Sequence, residues 1–210
     1  MTKIQYLPLL AIFLFSTAFG QNSKKFLPNK YGDICPLWNS FSVGSARYIE
    51  FKNSPNTLPN IIPEKDRRSC SNFGASDFNG EVTTIDNCKG NIVVIGFWGT
   101  ECNPSTKMLE EFRNAQDQVK ASQLKVIFWP VHFEIWPVVN SFTIKNKNHL
   151  GDLKVKKIGV GNNGLSNLVD TLDGLPTIFI VDKHGRISTT WSGFREQLLF
   201  NQLNKLIHEN

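Results

Sequence analysis

The sequence predicts an α/β layer arrangement with one parallel βαβ crossover and an antiparallel finish, and three stretches carry that prediction. The first is "IVVIGFW", residues 92–98, an unbroken apolar, β-branched run of strand length, as expected of a central strand covered on both faces. The second follows it directly: Met108, Leu109, Phe112, Ala115 and Val119 recur at helical spacing, so an amphipathic helix should run from about Pro104 to Lys120. The third is "PTIFIVDKHGRISTTW", two strands around a turn at Asp182 to Gly185. A closing helix follows, with Leu198, Leu199, Leu203, Leu206 and Ile207 on its apolar face.

The remaining elements fall into place around these. Residues 1–20 read as a secretory signal cut before Gln21: Lys3, an apolar run from Leu7 to Phe15, then Ala18-Phe19-Gly20 with small residues at the two inspected positions. Pro8 interrupts that run, which is shorter than the ~20 residues a bilayer span needs, and no membrane span is expected after cleavage. Residues 21–75 form an irregular N-terminal extension rich in Pro and Asn, with short strands such as "ARYIEFK" between loops. The domain proper is expected over 76–210. "DFNGEVTTIDNCKGN" reads as a hairpin, with Asn79-Gly80 supplying the turn. "LKVIFWPV", residues 124–131, is a second apolar strand, and residues 132–173 hold short helices at "WPVVNSF" and "LSNLVDTL" around a variable strand, with "GVGNNG" a plain loop.

Composition narrows the function classes. With 40% hydrophobic and 20% charged residues the chain is an ordinary globular protein. Its charge of +5 falls to +4 when Lys3 leaves with the signal, and the excess is scattered. No basic face with interleaved aromatics argues for nucleic acid. Lys154, Lys156 and Lys157 read as solvated surface. The four histidines, His132, His149, His184 and His208, are neither clustered nor at ligand spacing, and no C-x-x-C pair exists, so no metal is expected.

Four cysteines remain: Cys35, Cys70, Cys88 and Cys102, in a compartment that permits disulfides. Cys35 and Cys70 bracket most of the extension, and a bond between them would contribute about 3–4 kcal/mol in the chain-entropy model. Four cysteines allow three full pairings, and Cys70 with Cys88 competes. Cys102 has the distinctive address, past the C-terminal end of the central strand and at the first turn of a helix. Free N–H groups and the helix macrodipole there favour the thiolate, the form that attacks disulfides. Pro104 suits that turn because its missing N–H would have had no partner. Cys88 precedes a strand roughly 23 Å long and so belongs at the other end of the sheet. Cys35 or Cys70 reaches Cys102 only if the extension wraps over the site.

"IVVIGFWGTECNPSTKMLEEF" resembles the F-W-A-x-W-C-x-P-C segment of thioredoxin-like proteins, and "DGLPTIFIVDKHGRI" resembles their strand, cis-proline and hairpin segment. "NGEVTTIDNCKGN" is similar to the lead-in of the exported TlpA/ResA-like and redoxin (AhpC/TSA-type) branch. The resemblance covers residues 76–210 and implies a thioredoxin-like fold, a central mixed sheet flanked by helices. It implies that Cys102 is the nucleophile, that Ser105 stands where the resolving cysteine would be, and that Pro176 is a cis-proline facing Cys102. Leu175, with Thr177 beyond the proline, would pair an extended substrate, and Trp98 and Glu101 would flank it. Glu101 departs from the family's aromatic and should raise the thiol pKa.

A site with one sulfur constrains mechanism, because an external thiol must then clear the mixed disulfide. The leading reading is monothiol thiol–disulfide exchange, with Ser105 hydrogen-bonding the thiolate. Its partners would be exported protein thiols or disulfides, or small-molecule thiols, and it needs no cofactor. The alternatives are a redox-inactive module that keeps the peptide groove for docking and, third, a peroxiredoxin-like peroxidase. The last is disfavoured because Gly99 stands where that chemistry wants a threonine and the threonine is Thr100.

Overall fold

The computed structural model describes residues 27–29, 32–36, 59–122, 125–132, 136–158, 168, 172 and 174–209. The expected signal segment, the strand at "ARYIEFK" and all but Leu168 and Leu172 of "LSNLVDTL" lie outside the described residues.

The central strand β5 (Ile92–Trp98) organises the body. It runs parallel to β6 (Val126–His132) and antiparallel to β9 (Thr177–Val181), which pairs antiparallel with β10 (Ile187–Ser192). On the far side β6 is followed by β7 (Lys156–Ile158), β3 (Gly74–Ser76) and β4 (Val82–Thr84), completing a seven-stranded mixed sheet in the order β10-β9-β5-β6-β7-β3-β4. The β5–β6 crossover contains helix α1 (Asn103–Ser122). The β6–β7 connection carries α2 (Trp136–Lys145) and the short α3 (Lys147–Leu150), and α4 (Leu198–Ile207) closes the chain. The β3–β4 hairpin turns where the Asn-Gly pair lies: Asp77 accepts from the Asn79 and Glu81 N–H groups, and Gly80 has φ +79°.

Strand pleat divides the core in two. Val93, Ile95 and Phe97 of β5 join a cluster with Phe73, Trp129 and Phe179, whereas Val94 and Trp98 face α1 and α4. Gly96 points to the α1 side, where a Cβ would meet Phe112 at 2.6 Å and the Met108 sulfur at 2.7 Å. The absent side chain lets α1 lie close against β5.

Residues 59–73, which the sequence places in the extension, are tied to the body. The Ile62 N–H donates to Ser188, the Ile187 N–H to Arg68 and the Cys70 N–H to Gly185, and Ser69 bridges Arg186. Arg67 reaches Asp182 at 3.2 Å and also pairs with Glu209. A polar, proline-rich composition hides these attachments because many of them use backbone groups along the β10 edge, beside the few apolar anchors Ile61, Cys70 and Phe73.

Glu111 on α1 lies against the loop before α4. Burial pushes its carboxyl up to about 7; the Gln197 N–H opposes this and the Glu196 charge adds to it. The folded state therefore binds the proton more tightly than the unfolded chain. Stability from this group is full below the ordinary carboxylate range and falls as pH rises through about 7. Glu111→Gln is expected to stabilise the protein by roughly 2 kcal/mol at pH 8, after discounting for solvent screening, and to change little at pH 4. Urea denaturation at both pH values checks the difference.

Candidate redox site

Cys102 sits where β5 ends and α1 begins. Its N–H donates to the Gly99 carbonyl at 3.2 Å, and its own carbonyl accepts the first helical bond from Thr106 at 3.2 Å, so it occupies the N-cap position of a 20-residue helix. A sulfur there faces the free N–H groups and the positive end of the helix.

Opposite Cys102 is the segment 174–177. The Leu175–Pro176 peptide is cis. The Cys102 Sγ lies 3.4 Å from the Leu175 carbonyl, placed so that a reduced thiol would donate to it. The Thr177 hydroxyl donates to the Gly174 carbonyl at 2.6 Å and also contacts the Ser192 hydroxyl, while the Gly193 N–H donates to the Pro176 carbonyl at 2.7 Å. These bonds hold the 174–176 backbone as a fixed edge.

That edge carries a strand from the chain's own N-terminal region. β1 (Leu27–Asn29) and β2 (Gly32–Pro36) form an antiparallel pair, and β2 pairs antiparallel with β8 (Gly174–Leu175), with Cys35 opposite Leu175 and Pro36 opposite Gly174. Gly174 makes this approach feasible: a Cβ there would meet Ile34 Cδ1 at 2.6 Å and the Cys35 carbonyl at 2.7 Å. The register brings Cys35 to Cys102, and the two form a disulfide with 6.0 Å between their Cα atoms.

Several sequence expectations are thereby corrected. Cys35 is bonded to Cys102, not to Cys70. Cys70 and Cys88 are both buried free thiols, so neither the Cys35–Cys70 pairing nor its Cys70–Cys88 competitor is present. The physical reason is that Cys70 is fixed beside Gly185 at the distant hairpin turn, whereas β2 runs along the Leu175 edge. Burial pushes the Cys70 thiol up to about 12 and raises Cys88 as well, which makes both poor nucleophiles.

Ser105 is fully buried, and its oxygen accepts from the Gly99 N–H at 3.3 Å. It therefore latches the loop before Cys102, and no hydrogen bond joins it to the sulfur among the described residues. Trp98 is not at the groove: pleat alternation turns it to the opposite face of the sheet, where it packs against Phe142 and His132. Thr177 is buried beneath the edge rather than presented to a ligand. Glu101 is exposed, so water screens its carboxylate from the sulfur. Leu175 presents its carbonyl to the Cys102 sulfur, Pro176 follows it across a cis bond, and Cys35 lies opposite Leu175.

Cys35 and Gly174 were the residues that sequence reasoning did not place. The available signals were a cysteine inside a short strand-like run, "GDICP", and a glycine two residues before the proline.

No family model matches the chain. Over 120 residues, 57% of its length, it is 24% identical to the thiol-disulfide oxidoreductase ResA of Bacillus thuringiensis subsp. konkukian. That stretch is 65% of the relative, so the chain spans less than two thirds of the curated protein it matches. Among solved structures it resembles a DsbF homologue from Corynebacterium diphtheriae, with a TM-score of 0.58 and 16% identity over 73% of this chain and 97% of that one. It also resembles a thiol:disulfide interchange protein of the thioredoxin family from Chlorobium tepidum, with a TM-score of 0.55 and 18% identity over 68% and 97% of the two chains. The mixed sheet, the βαβ crossover with Cys102 at its helix start, and these likenesses lead to one conclusion: the chain has the thioredoxin-like α/β fold.

Proposed function

We propose that the protein is an exported thiol–disulfide oxidoreductase of the ResA/TlpA-like kind in which Cys102 is the attacking sulfur. One observation carries the reading: Cys102, at the helix N-cap and across from cis-Pro176, is disulfide-bonded to an extended strand paired with Leu175. An extended peptide carrying a half-cystine is what an exchange enzyme of this fold must hold. In the proposed step the Cys102 thiolate attacks one sulfur of a substrate disulfide, forms a mixed disulfide with it, and expels the other sulfur as a thiolate. Substrates are exported protein disulfides or small-molecule thiol adducts. The ResA likeness supports this chemistry, and the apolar run in residues 1–20 supports a periplasmic or secreted location, where a disulfide persists.

Cys102→Ser tests the proposal. It is expected to abolish reduction of a model disulfide, a loss of ~10³-fold or more, since Cys70 and Cys88 are buried and Cys35 does not stand at a helix start. Retention of activity in Cys102→Ser would exclude the mechanism. The occupied Leu175 edge also favours a second reading, peptide docking without exchange. That reading expects Cys102→Ser to keep its partners and the wild type to form no mixed disulfides.

A further inference from the structure

Resting on Cys102 as the attacking sulfur, we infer that Cys35 is the resolving cysteine of this site, delivered by strand β2, which competes with substrate for the Leu175 edge. Three observations converge on this. Cys35 stands opposite Leu175 in the antiparallel β2–β8 pair, and its sulfur is bonded to that of Cys102. Gly174 leaves open the space that the Ile34 side chain and the Cys35 carbonyl fill, so the edge is shaped to receive this strand. The position where a C-x-x-C pair would carry its second sulfur holds a buried serine bound to Gly99, and the other two cysteines are buried free thiols.

The cycle balances without a cofactor. After Cys102 attacks a substrate disulfide and one product thiolate departs, the substrate strand lies on the edge, linked through the mixed disulfide. β2 displaces that strand, and the Cys35 thiolate attacks the Cys102 sulfur. The Cys102–substrate bond breaks, the second substrate thiolate leaves, and the Cys35–Cys102 disulfide forms. Two electrons pass from the protein dithiol to the substrate disulfide. An external dithiol reductant returns the protein to its starting state by attacking the Cys35–Cys102 bond. Resolution and product release are thus one event, because the strand that brings the second sulfur evicts the product. The oxidised protein also covers its own peptide-binding edge, so an exchange protein that has lost its electrons no longer presents the groove.

The test uses the fully reduced full-length chain and a small aromatic disulfide reagent that releases a coloured thiolate. The wild type is expected to release two coloured thiolates per chain and to finish without an adduct, with Cys35 and Cys102 linked in its peptide map. Cys35→Ser is expected to release one and to keep the adduct on Cys102. Gly174→Val retains both sulfurs but fills the space that β2 needs, and its adduct should clear about 100-fold more slowly than that of the wild type. Clearance at the wild-type rate in either variant would overturn the role of Cys35 and its strand. An absent adduct on Cys102 in Cys35→Ser would instead overturn Cys102 as the attacking sulfur, and the two failures are separable by mass. Mapping the wild-type product needs no variant to fold: a final linkage other than Cys35 to Cys102 would refute the inference.

Discussion

Asp182→Ala is expected to lower the free energy of unfolding by about 3 kcal/mol, because it removes the buried one of the two carboxylates that pair with an arginine water barely reaches. The Arg67 and Asp182 side chains are each only 4% exposed, and they lie 3.2 Å apart. Asp182 also accepts from the His184 and Arg186 N–H groups at 2.9 Å, which closes the β9–β10 turn, and from the Arg186 side chain at 3.0 Å. Burial alone would push its carboxyl up; the Arg186 N–H, the two guanidinium groups and the His184 N–H together hold it below the usual value. A carboxylate with a lowered folded pKa stabilises the protein above the unfolded pKa, and this is lost as pH falls through the folded value. The variant should therefore approach the wild type in stability at strongly acidic pH. Urea unfolding across pH checks both statements. A loss under about 1 kcal/mol at neutral pH would show that Glu209 alone satisfies Arg67.

Reduction of the Cys35–Cys102 bond is expected to cost up to about 4 kcal/mol, since the bond closes a loop across 67 residues of sequence and restricts the unfolded chain accordingly. Chemical denaturation with and without a dithiol measures it. The native contacts of β2 set where in that range the value falls. Ile34 and Cys35 are buried against the body, so the strand and the domain should lose structure together in the oxidised protein. In the reduced protein the described contacts of β2 are its strand pairing, the Ile34 and Cys35 packing and its approach to α1. A cost below about 1 kcal/mol would mean that β2 detaches as a separate unit before the domain unfolds.

Legibility in the sequence followed the range of the interaction. The apolar run of β5, the helical spacing of Met108 to Val119, and the Asn-Gly and Asp182–Gly185 turns each encode local geometry, and each lies where the pattern puts it. Pleat alternation also made it possible to see that Phe97 and Trp98 face opposite ways; placing Trp98 at the groove ignored that period. The partner of Cys102 was not legible. Nothing near Cys35 has a period, and its position is set by backbone pairing with two residues far along the chain. The role of Ser105 was hidden for a related reason. A hydroxyl can serve a sulfur or a backbone N–H equally well, and only the close turn at Gly99 decides between them.

The bare α-carbon at Gly174 also sets what a docked strand can carry beside it. Ile34, the residue before the docked cysteine, projects into the space where a side chain at 174 would stand. Any visiting strand in the same register puts the residue preceding its own half-cystine into that space. Under the proposed exchange, a branched aliphatic residue followed by cysteine would fill that space, a glycine there would leave a void, and a charged residue there would be buried without a partner. In its own "Ile-Cys" the protein carries an example of the sequence its edge would select.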